Sequence, residues 1–326
     1  MVGYSSHMQA MSSTFSLDMK RFDSREFFKL RYTTNNMIGG CSDVRLAQAN
    51  KYGELFDLEA GTFVIIKRLN ETTKRALIVN EISLLHKLSD CRYVSRILGE
   101  FQDSKDNSFK LILQAVPGQD LLGFLMQQKT YIKHDMWISL CREIATAVKA
   151  LHSMNIFHRD LKPENIMIYM DNEASRILSL RLIDFGLACS GDEAFYAFET
   201  EAYAHLGGTE VYTDPQLFRN IAEAKTKSEK NQIFKASDVW ALGQIFVTAL
   251  FRFNLYDQSR RSFRKLSVQE FDHISHTSVE FAKLLYSLTD AAIDWRLRPT
   301  IDDILTTLSS CQCQLIIPSM KKQLHF

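Results

Sequence analysis

A polar octapeptide at residues 158–165 (HRDLKPEN) constrains the fold of this chain more than any other stretch of its sequence. It lies between an apolar run that ends at Phe157 and a second apolar run, Ile-Met-Ile, at 166–168. A polar segment between two apolar ones predicts an ordered loop on a packed scaffold, which is where catalytic side chains tend to lie. A second short motif, Asp-Phe-Gly at 184–186, follows the octapeptide. The loop and this motif are therefore the first candidates for a functional site.

The chain before the octapeptide predicts strands first and a long helix later. Short runs of β-type residues, broken by turns, extend to residue 114, and one helical stretch at 71–88 interrupts them. The predicted strands are residues 28–33, 44–49, 62–68, 94–101 and 108–114. Apolar residues then recur at helical spacing over 134–153, which predicts a long helix leading to the octapeptide. Residues 1–27 are polar with little periodicity, so we expect a mobile or loosely docked extension there.

Composition limits the class and the location of the protein. The 326 residues are 46% hydrophobic and 24% charged, as in an ordinary soluble globular protein. The formal net charge of +1 predicts no general affinity for nucleic acid or membrane. The first residues lack the apolar core of a secretory signal, and the six cysteines show no paired framework. Both observations favour a reducing compartment, so we expect a cytoplasmic protein.

Together, residues 158–165 and 184–186 resemble the catalytic loop and the metal-binding motif of the eukaryotic-type protein kinase superfamily. The resemblance implies an α+β, bilobal fold: a small five-stranded β lobe with one main helix, and a larger, mainly helical lobe. The implied domains are an N-terminal extension (1–27), a small lobe (28–116), a large lobe (117–310) and a C-terminal tail (311–326). Lys162 and Thr209 resemble residues typical of the serine/threonine class, which implies phosphoryl transfer from ATP to hydroxyl groups of a protein substrate.

The resemblance also implies a role for each polar side chain of the motifs. Asp160 would accept the proton of the substrate hydroxyl, and Lys162 would neutralise the transferred phosphoryl group. Lys67, at the end of Val-Ile-Ile-Lys, would contact the nucleotide phosphates and pair with Glu81 of the following helix. The implied catalytic residues are Asp160, Lys162, Lys67, Glu81 and Thr209, and the implied Mg²⁺ ligands are Asn165 and Asp184.

The nucleotide site is where this sequence departs most from the family pattern. Only Gly40 falls on a glycine position of the loop that covers the phosphates, and Asp43 takes the place of another glycine. An acid near the phosphates, and Ile65 in place of the usual alanine beneath the adenine, both predict weak ATP binding. The implied nucleotide-binding residues are Ile38, Gly40, Val44, Ile65, Lys67, Leu113, Gln114, Val116, Asp120 and Met167.

Residues 294–300 (DWRLRPT) and the segment around Asp238 resemble two further motifs of the large lobe. By this resemblance, Asp238 would hold the backbone of the catalytic loop. Arg298 would normally pair with a glutamate that is Gln216 here, so we expect at most a hydrogen bond in place of a buried ion pair. Gln216 itself belongs to another family motif, and in that motif Asp214 replaces an alanine.

Two charged segments leave alternative interpretations open. In related kinases, the arginine equivalent to Arg159 commonly receives a phosphate from the activation segment, which would be residues 184–216 here. The usual acceptor position falls on a histidine, so we hypothesise that Glu199 or Glu201 supplies the charge permanently. Alternatively, Thr200 or Tyr203 is phosphorylated, or these acids only solvate a loop. A basic cluster at 260–265 (RRSFRK) predicts either a solvated surface or a docking or nuclear-import site.

Two functions other than a protein kinase compete with this interpretation. A pseudokinase, a binding or scaffold module with the same fold, is favoured by the poor glycine loop, Ile65 and Gln216. The complete set of catalytic side chains favours an enzyme, because such groups have no folding reason to occur together. A small-molecule kinase is less consistent with the large-lobe motifs, which are typical of protein kinases. The sequence specifies neither the protein substrate nor the oligomeric state.

Overall fold

A computed structural model of the chain describes residues 21–22, 28–33, 42–50, 56–69, 75–128, 134–171, 176–191, 209–275 and 278–311. These residues form two compact units. The first contains the described residues up to Leu69 together with Ile97–Ala115, and the second contains residues 75–96 and those from Val116 onward. The first unit is a β-sheet and the second is mainly helical, which confirms the predicted α+β fold class.

The first unit is built on one six-stranded sheet. Its strands are β1 (Arg21–Phe22), β2 (Phe28–Thr33), β3 (Ser42–Ala49), β4 (Phe63–Leu69), β5 (Ile97–Asp103) and β6 (Phe109–Gln114), in the order β1-β5-β6-β4-β3-β2. Strand β1 pairs with β5 in parallel, with Arg21 opposite Gln102, and the other pairs are antiparallel. The sequence predicts five strands, so β1 corrects that number to six. A strand of two residues is too short to show the alternation on which a sequence prediction depends.

The core of the first unit explains the spacing of apolar residues in β4. Val64 and Ile66 are buried with Phe28 and Phe101, whose ring centroids are 6.5 Å apart. Because successive side chains of a strand point to opposite faces, Val64 and Ile66 share the core face. Lys67 follows them on the other face of the strand.

The second unit contains, among the described residues, eight helices and three small sheets. The helices are α1 (Arg75–Lys87), α2 (Leu121–Gln127), α3 (His134–Ser153), α4 (Leu217–Glu223), α5 (Lys227–Phe251), α6 (Val268–Ser275), α7 (Val279–Thr289) and α8 (Ile301–Ser310). The first sheet has three strands, β7 (Gln119–Asp120), β9 (Ile166–Asp171) and β10 (Arg176–Leu182), in the order β10-β9-β7. The second sheet pairs β8 (Ile156–Phe157) with β11 (Cys189–Ser190). The third sheet pairs β12 (Tyr256–Asp257) with β13 (Ser262–Phe263).

Helix α3 has the bounds that the sequence predicts. Its apolar residues at helical spacing are all at most 1% exposed: Trp137, Leu140, Cys141, Ile144, Val148 and Leu151. Trp137 joins α3 to two other helices, because its Nε1 donates to the carbonyl of Phe246 at 3.3 Å and its ring meets that of Phe281 edge-on at 4.8 Å. The first turns of α3 are therefore packed against both helices, and α3 ends at Ser153, shortly before the octapeptide.

Helix α5 is the central helix of the second unit. It begins after Thr226, whose side chain accepts a hydrogen bond from the backbone N–H of Glu229 at 3.1 Å. In the described part of the chain it is the one helix long and apolar enough to cross a membrane, and 89% of its apolar window is buried inside the protein. From Ile233 onward most of its residues are buried, as expected for the core helix of a globular unit.

The units divide the chain between Ala115 and Val116 and place α1 in the second unit. The sequence assigns this helix to the small lobe. In the structure, Asn80 of α1 donates from its side-chain Nδ2 to the carbonyl of Ala188 at 2.8 Å, which links α1 to the segment after Asp-Phe-Gly. The domain limits given above stay predictions.

Candidate active site

The octapeptide forms a loop between β8 and β9. Phe157 and Ile166, the apolar residues that flank it, are fully buried. The last residues, Pro163–Asn165, form a 3₁₀ turn, in which the backbone N–H of Asn165 donates to the carbonyl of Lys162 at 3.0 Å. An ordered loop anchored at both ends by the core is what the sequence predicts.

Asp238 on α5 holds the beginning of this loop. Its Oδ2 accepts a hydrogen bond from the backbone N–H of His158, and its Oδ1 accepts one from the backbone N–H of Arg159, both at 2.9 Å. The Asp238 side chain is 1% exposed. The role predicted for Asp238 is confirmed.

His152, in the last turn of α3, is a third partner of Asp238 that sequence reasoning missed. Its Nε2 lies 3.0 Å from Asp238 Oδ2. Burial alone would raise the pKa of Asp238, but the hydrogen bond from His152, the charges of His152 and His158, and the N–H of Arg159 lower the pKa below its ordinary value. Asp238 is therefore a buried anion surrounded by donors. The sequence gives no signal for this contact beyond a histidine in the last turn of an amphipathic helix.

The carboxylate of Asp160 is surrounded by four donors. Its Oδ1 accepts from the backbone N–H of Thr209 at 3.0 Å and from the Thr209 hydroxyl at 3.1 Å. Its Oδ2 accepts from Asn165 Nδ2 at 3.0 Å and from Lys162 Nζ at 2.9 Å. Lys162 also donates to the Thr209 hydroxyl at 2.8 Å. The structure therefore brings together four of the residues that the sequence selects.

Asn165 and Asp184 offer the oxygen ligands that Mg²⁺ prefers. The amide nitrogen of Asn165 donates to the backbone carbonyl and the carboxylate of Asp160, at 2.8 and 3.0 Å, so the amide oxygen remains for a cation. Asp184 is exposed and has a φ of 63°. The backbone N–H of Ile183 donates to the carbonyl of Asn165 at 3.0 Å, which holds the two segments side by side. The residues present therefore fit a magnesium ion.

Phe185 and His158 pack the Asp-Phe-Gly motif against the catalytic loop. Phe185 is 1% exposed, and its ring centroid lies 4.9 Å from that of His158. His158 Nε2 lies 3.1 Å from the carbonyl oxygen of Ile183, to which it donates. These contacts fix the backbone that precedes Asp184.

Arg159 is held by the segment that follows Asp-Phe-Gly. Its φ is 65°, its Nη1 donates to the carbonyl of Leu187 at 3.1 Å, and its guanidinium lies 5.1 Å from the ring centroid of Phe234. Glu199 and Glu201, which we expect near Arg159, lie outside the described residues. The hypothesis of a permanent charge therefore stays a hypothesis.

Lys67 and Glu81 lie in different units. Lys67 is on β4 and 5% exposed, and Glu81 is on α1 and 4% exposed. A charged group that is buried to this degree requires partners. The pairing of Lys67 with Glu81 stays a prediction.

The residues selected for nucleotide binding are divided between the units. In the strand register of the first unit, Val44 lies opposite Lys67, and Ile65 lies opposite Leu113. Gln114 ends β6 in the same unit. Their roles toward a nucleotide stay predictions, and Ile38 and Gly40 lie outside the described residues.

Asp120 has a structural role that the sequence analysis missed. Its Oδ1 accepts a hydrogen bond from the backbone N–H of Gly123 at 2.8 Å, which caps α2. In the second unit, Asp120 lies opposite Met167 in the pairing of β7 with β9, and Val116 precedes β7. The available signal was an aspartate immediately before an apolar helical run.

Arg298 is bonded differently from the prediction. Its Nη1 donates to Asp214 Oδ2 at 2.6 Å, and the two side chains are 0% and 1% exposed. The side-chain Nε2 of Gln216 donates hydrogen bonds to the carbonyls of Ala291 and Ile293, at 2.5 and 3.4 Å. The prediction that Arg298 has at most a hydrogen bond in place of a buried ion pair is wrong, because the carboxylate of Asp214, two residues before Gln216, neutralises the guanidinium. The available signal was an acid in place of the family's alanine.

The basic cluster at 260–265 forms ion pairs within the chain. The pairs are Arg260 with Asp257 at 3.6 Å, Arg261 with Glu210 at 3.0 Å, Arg264 with Glu270 at 2.8 Å and Lys265 with Asp290 at 2.7 Å. These basic side chains are 44–82% exposed, so each pair contributes little to stability. The pairing favours a solvated surface over a docking site.

Comparison with known proteins shows which family this chain resembles. The family described as protein kinase domain matches residues 47–308. Serine/threonine-protein kinase DCLK1 of Mus musculus is 30% identical over 232 residues, which cover 69% of this chain and 27% of that protein. Serine/threonine-protein kinase CG17528 of Drosophila melanogaster is 31% identical over 170 residues, or 52% of this chain and 20% of that protein. Serine/threonine-protein kinase RAD53 of Saccharomyces cerevisiae is 30% identical over 204 residues, or 56% of this chain and 23% of that protein.

The chain spans 20–27% of the length of these three relatives. The family match covers the catalytic loop, the Asp-Phe-Gly motif and Arg298, and therefore includes every contact of Asp160 described above. The chain belongs to the eukaryotic-type protein kinase family and is similar to members of its serine/threonine class.

Proposed function

We propose that this chain transfers the terminal phosphoryl group of ATP to serine or threonine hydroxyls of a protein substrate. The observation that carries the proposal is the carboxylate of Asp160, which is held by Asn165, Lys162 and Thr209 at 2.9–3.1 Å. Four donors on one acid fix its position closely, and phosphoryl transfer requires positioning and charge neutralisation more than covalent chemistry.

Each residue of this cluster has a defined part in the proposal. Asp160 accepts the proton of the substrate hydroxyl, and Lys162 neutralises negative charge on the transferred group. Asn165 and Asp184 would hold Mg²⁺ through their side-chain oxygen atoms. The bound nucleotide and metal supply the phosphoryl group and the positive charge that stabilises its transfer.

The relatives support the substrate class, because their names describe serine/threonine-protein kinases. The contact of Thr209 with both Asp160 and Lys162 is consistent with this class, since the sequence selects Thr209 as its marker. The nucleotide-binding residues, the pairing of Lys67 with Glu81 and the cytoplasmic location stay predictions.

The test is a transfer assay with purified protein, labelled ATP and a panel of acidic and basic proteins, with and without Mg²⁺. We expect label on serine or threonine of the substrates or of the chain itself, and none after chelation of the metal. The exposed variant Asp302→Asn, in which an ion pair with Lys149 is lost, is the control and should transfer at the wild-type rate. A wild-type protein that binds ATP but labels nothing would contradict the proposal and establish a pseudokinase.

A further inference from the structure

Asp214 connects the segment after Thr209 to a distant part of the chain. Its Oδ1 accepts from the backbone N–H of Gln216 at 2.9 Å, and its carbonyl accepts from the backbone N–H of Leu217 at 3.0 Å. These two bonds fix the turn that leads into α4. Its Oδ2 accepts from Arg298 at 2.6 Å. One oxygen of the carboxylate therefore holds the local turn, and the other holds Arg298.

Arg298 continues the connection to helix α5. Its Nη1 also donates to the carbonyl of Ala236 in α5 at 3.0 Å, and its guanidinium lies 5.1 Å from the ring centroid of Trp240. Within the described part of the chain, Asp214 is the one carboxylate at ion-pair distance from Arg298. Nε and Nη2 of Arg298 are buried and have no hydrogen-bond partner there. Because the side chain is fully buried, its charge depends on Asp214 for compensation.

Both ends of this connection reach the active site. Ala236 precedes Asp238 by two residues on α5, and Asp238 holds the catalytic loop. On the other side, the hydroxyl of Thr213 and the backbone N–H of Tyr212 donate to the carbonyl of Thr209, at 3.0 and 2.8 Å. Hydrogen bonds therefore extend from the catalytic loop through α5, Arg298 and Asp214 to the residue that contacts the catalytic base.

We propose that Asp214 is a positioning residue for phosphoryl transfer, which keeps the segment 209–216 on α5 so that Thr209 stays against Asp160. The inference rests on the proposed function, because it assigns Asp214 a part in that reaction. Position 216 carries a neutral amide that is bonded elsewhere, so Asp214 supplies the only negative charge that this segment offers to Arg298. Asp214 is 1% exposed and acts through the segment rather than on the substrate.

The test compares Asp214→Asn, Asp214→Ala, Arg298→Met and the double variant Asp214→Ala/Arg298→Met with Asp302→Asn as an exposed control. Three quantities are measured: amide hydrogen exchange over 209–217, the melting temperature, and kcat and KM for the protein substrate and for ATP. We expect faster exchange over 209–217 and a melting temperature lower by roughly 6 to 20 °C when either partner is removed alone.

The double variant should lose less than the two single variants together, because no buried charge is left without a partner. We expect kcat/KM for the protein substrate to fall up to about 100-fold in Asp214→Asn, with a smaller change in KM for ATP, since displacement of a positioning group acts on the reaction geometry. Unchanged exchange over 209–217 and unchanged kcat/KM in Asp214→Asn would overturn the proposal.

Failure of the proposed function would look different. A wild-type protein without any transfer contradicts the kinase activity and, with it, a part for Asp214 in catalysis. Hydrogen exchange and the double-variant comparison would still show whether Asp214 and Arg298 hold the segment. A purely structural role is the result if stability and exchange change while kcat/KM does not, and this outcome also overturns the inference.

Discussion

Replacement of Asp238 with asparagine should release the beginning of the catalytic loop. The carboxylate accepts three hydrogen bonds, from the backbone N–H groups of His158 and Arg159 at 2.9 Å and from His152 at 3.0 Å. Asparagine has the same shape, but one of its two terminal atoms is a donor. At least one of the three donors would therefore face another donor.

The magnitude follows from these contacts. An unpaired buried N–H costs about 1–3 kcal/mol, and each of the two remaining bonds loses about 1 kcal/mol when its acceptor is no longer charged. Together these effects give about 4 kcal/mol. At about 2–4 °C per kcal/mol, the melting temperature should fall by roughly 8 to 16 °C. Activity should fall with it, because Asp160 follows directly after the two residues that Asp238 holds.

Differential scanning calorimetry on the wild type, Asp238→Asn and Asp302→Asn measures the effect. Asp302 makes an exposed ion pair with Lys149, so the same substitution there should cost no more than about 1 kcal/mol. Equal shifts in the two variants would refute the interpretation of Asp238 as the residue that holds the loop.

Three further predictions concern stability. Gln216→Glu should lower the melting temperature by a few degrees, because its new carboxylate would face two backbone carbonyls while Asp214 already neutralises the arginine; a higher melting temperature would contradict this. Gly118→Ala should cost about 1–3 kcal/mol in denaturant unfolding, because a Cβ at its φ of 100° would lie 2.0 Å from the carbonyl oxygen of Ile168; an unchanged unfolding midpoint would disprove the close approach. The pKa of Asp238 is lowered in the folded protein, so its carboxylate stabilises the fold fully above the ordinary aspartate pKa. This stabilisation is lost as the pH falls through the lowered pKa. The melting temperatures of the wild type and Asp238→Asn should therefore converge in acid.

The fold was predictable where a local pattern covers many residues. The bounds of α3 follow from six apolar residues at helical spacing, and all six are buried as expected. Strand β1 was not predictable, because Arg21 and Phe22 acquire strand geometry only by pairing with β5. Such a pairing depends on tertiary structure and leaves no periodic signal in two residues.

The candidate site, too, was predictable only where its residues are close together in the sequence. Asp160, Lys162 and Asn165 lie within one short loop, so their sequence proximity already placed them together. Thr209 contacts Asp160 although it lies 49 residues further along the chain, and only the resemblance to a family selected this residue. The identity of a residue does not show which side chain it will contact in the fold, so the sequence did not indicate that Asp214 is the partner of Arg298.

His152 and the basic cluster show the same limit for charged residues. A histidine on an amphipathic helix gives no indication that its ring will meet Asp238 on another helix, 86 residues away in sequence. The cluster at 260–265 is basic in sequence, but its charges are balanced by acids from three other segments. Charge runs therefore predict exposure better than they predict partners.

The central claim is that Asp160 acts as the base in Mg²⁺-dependent phosphoryl transfer. The most direct measurement is kcat of Asp160→Asn against the wild type, with ATP affinity and melting temperature measured on the same preparations. A positioned general base contributes about 10²–10⁴-fold, so we predict a loss of this size with ATP affinity little changed. A variant that transfers phosphate within a few-fold of the wild-type rate, while folded and binding ATP equally well, would contradict the account.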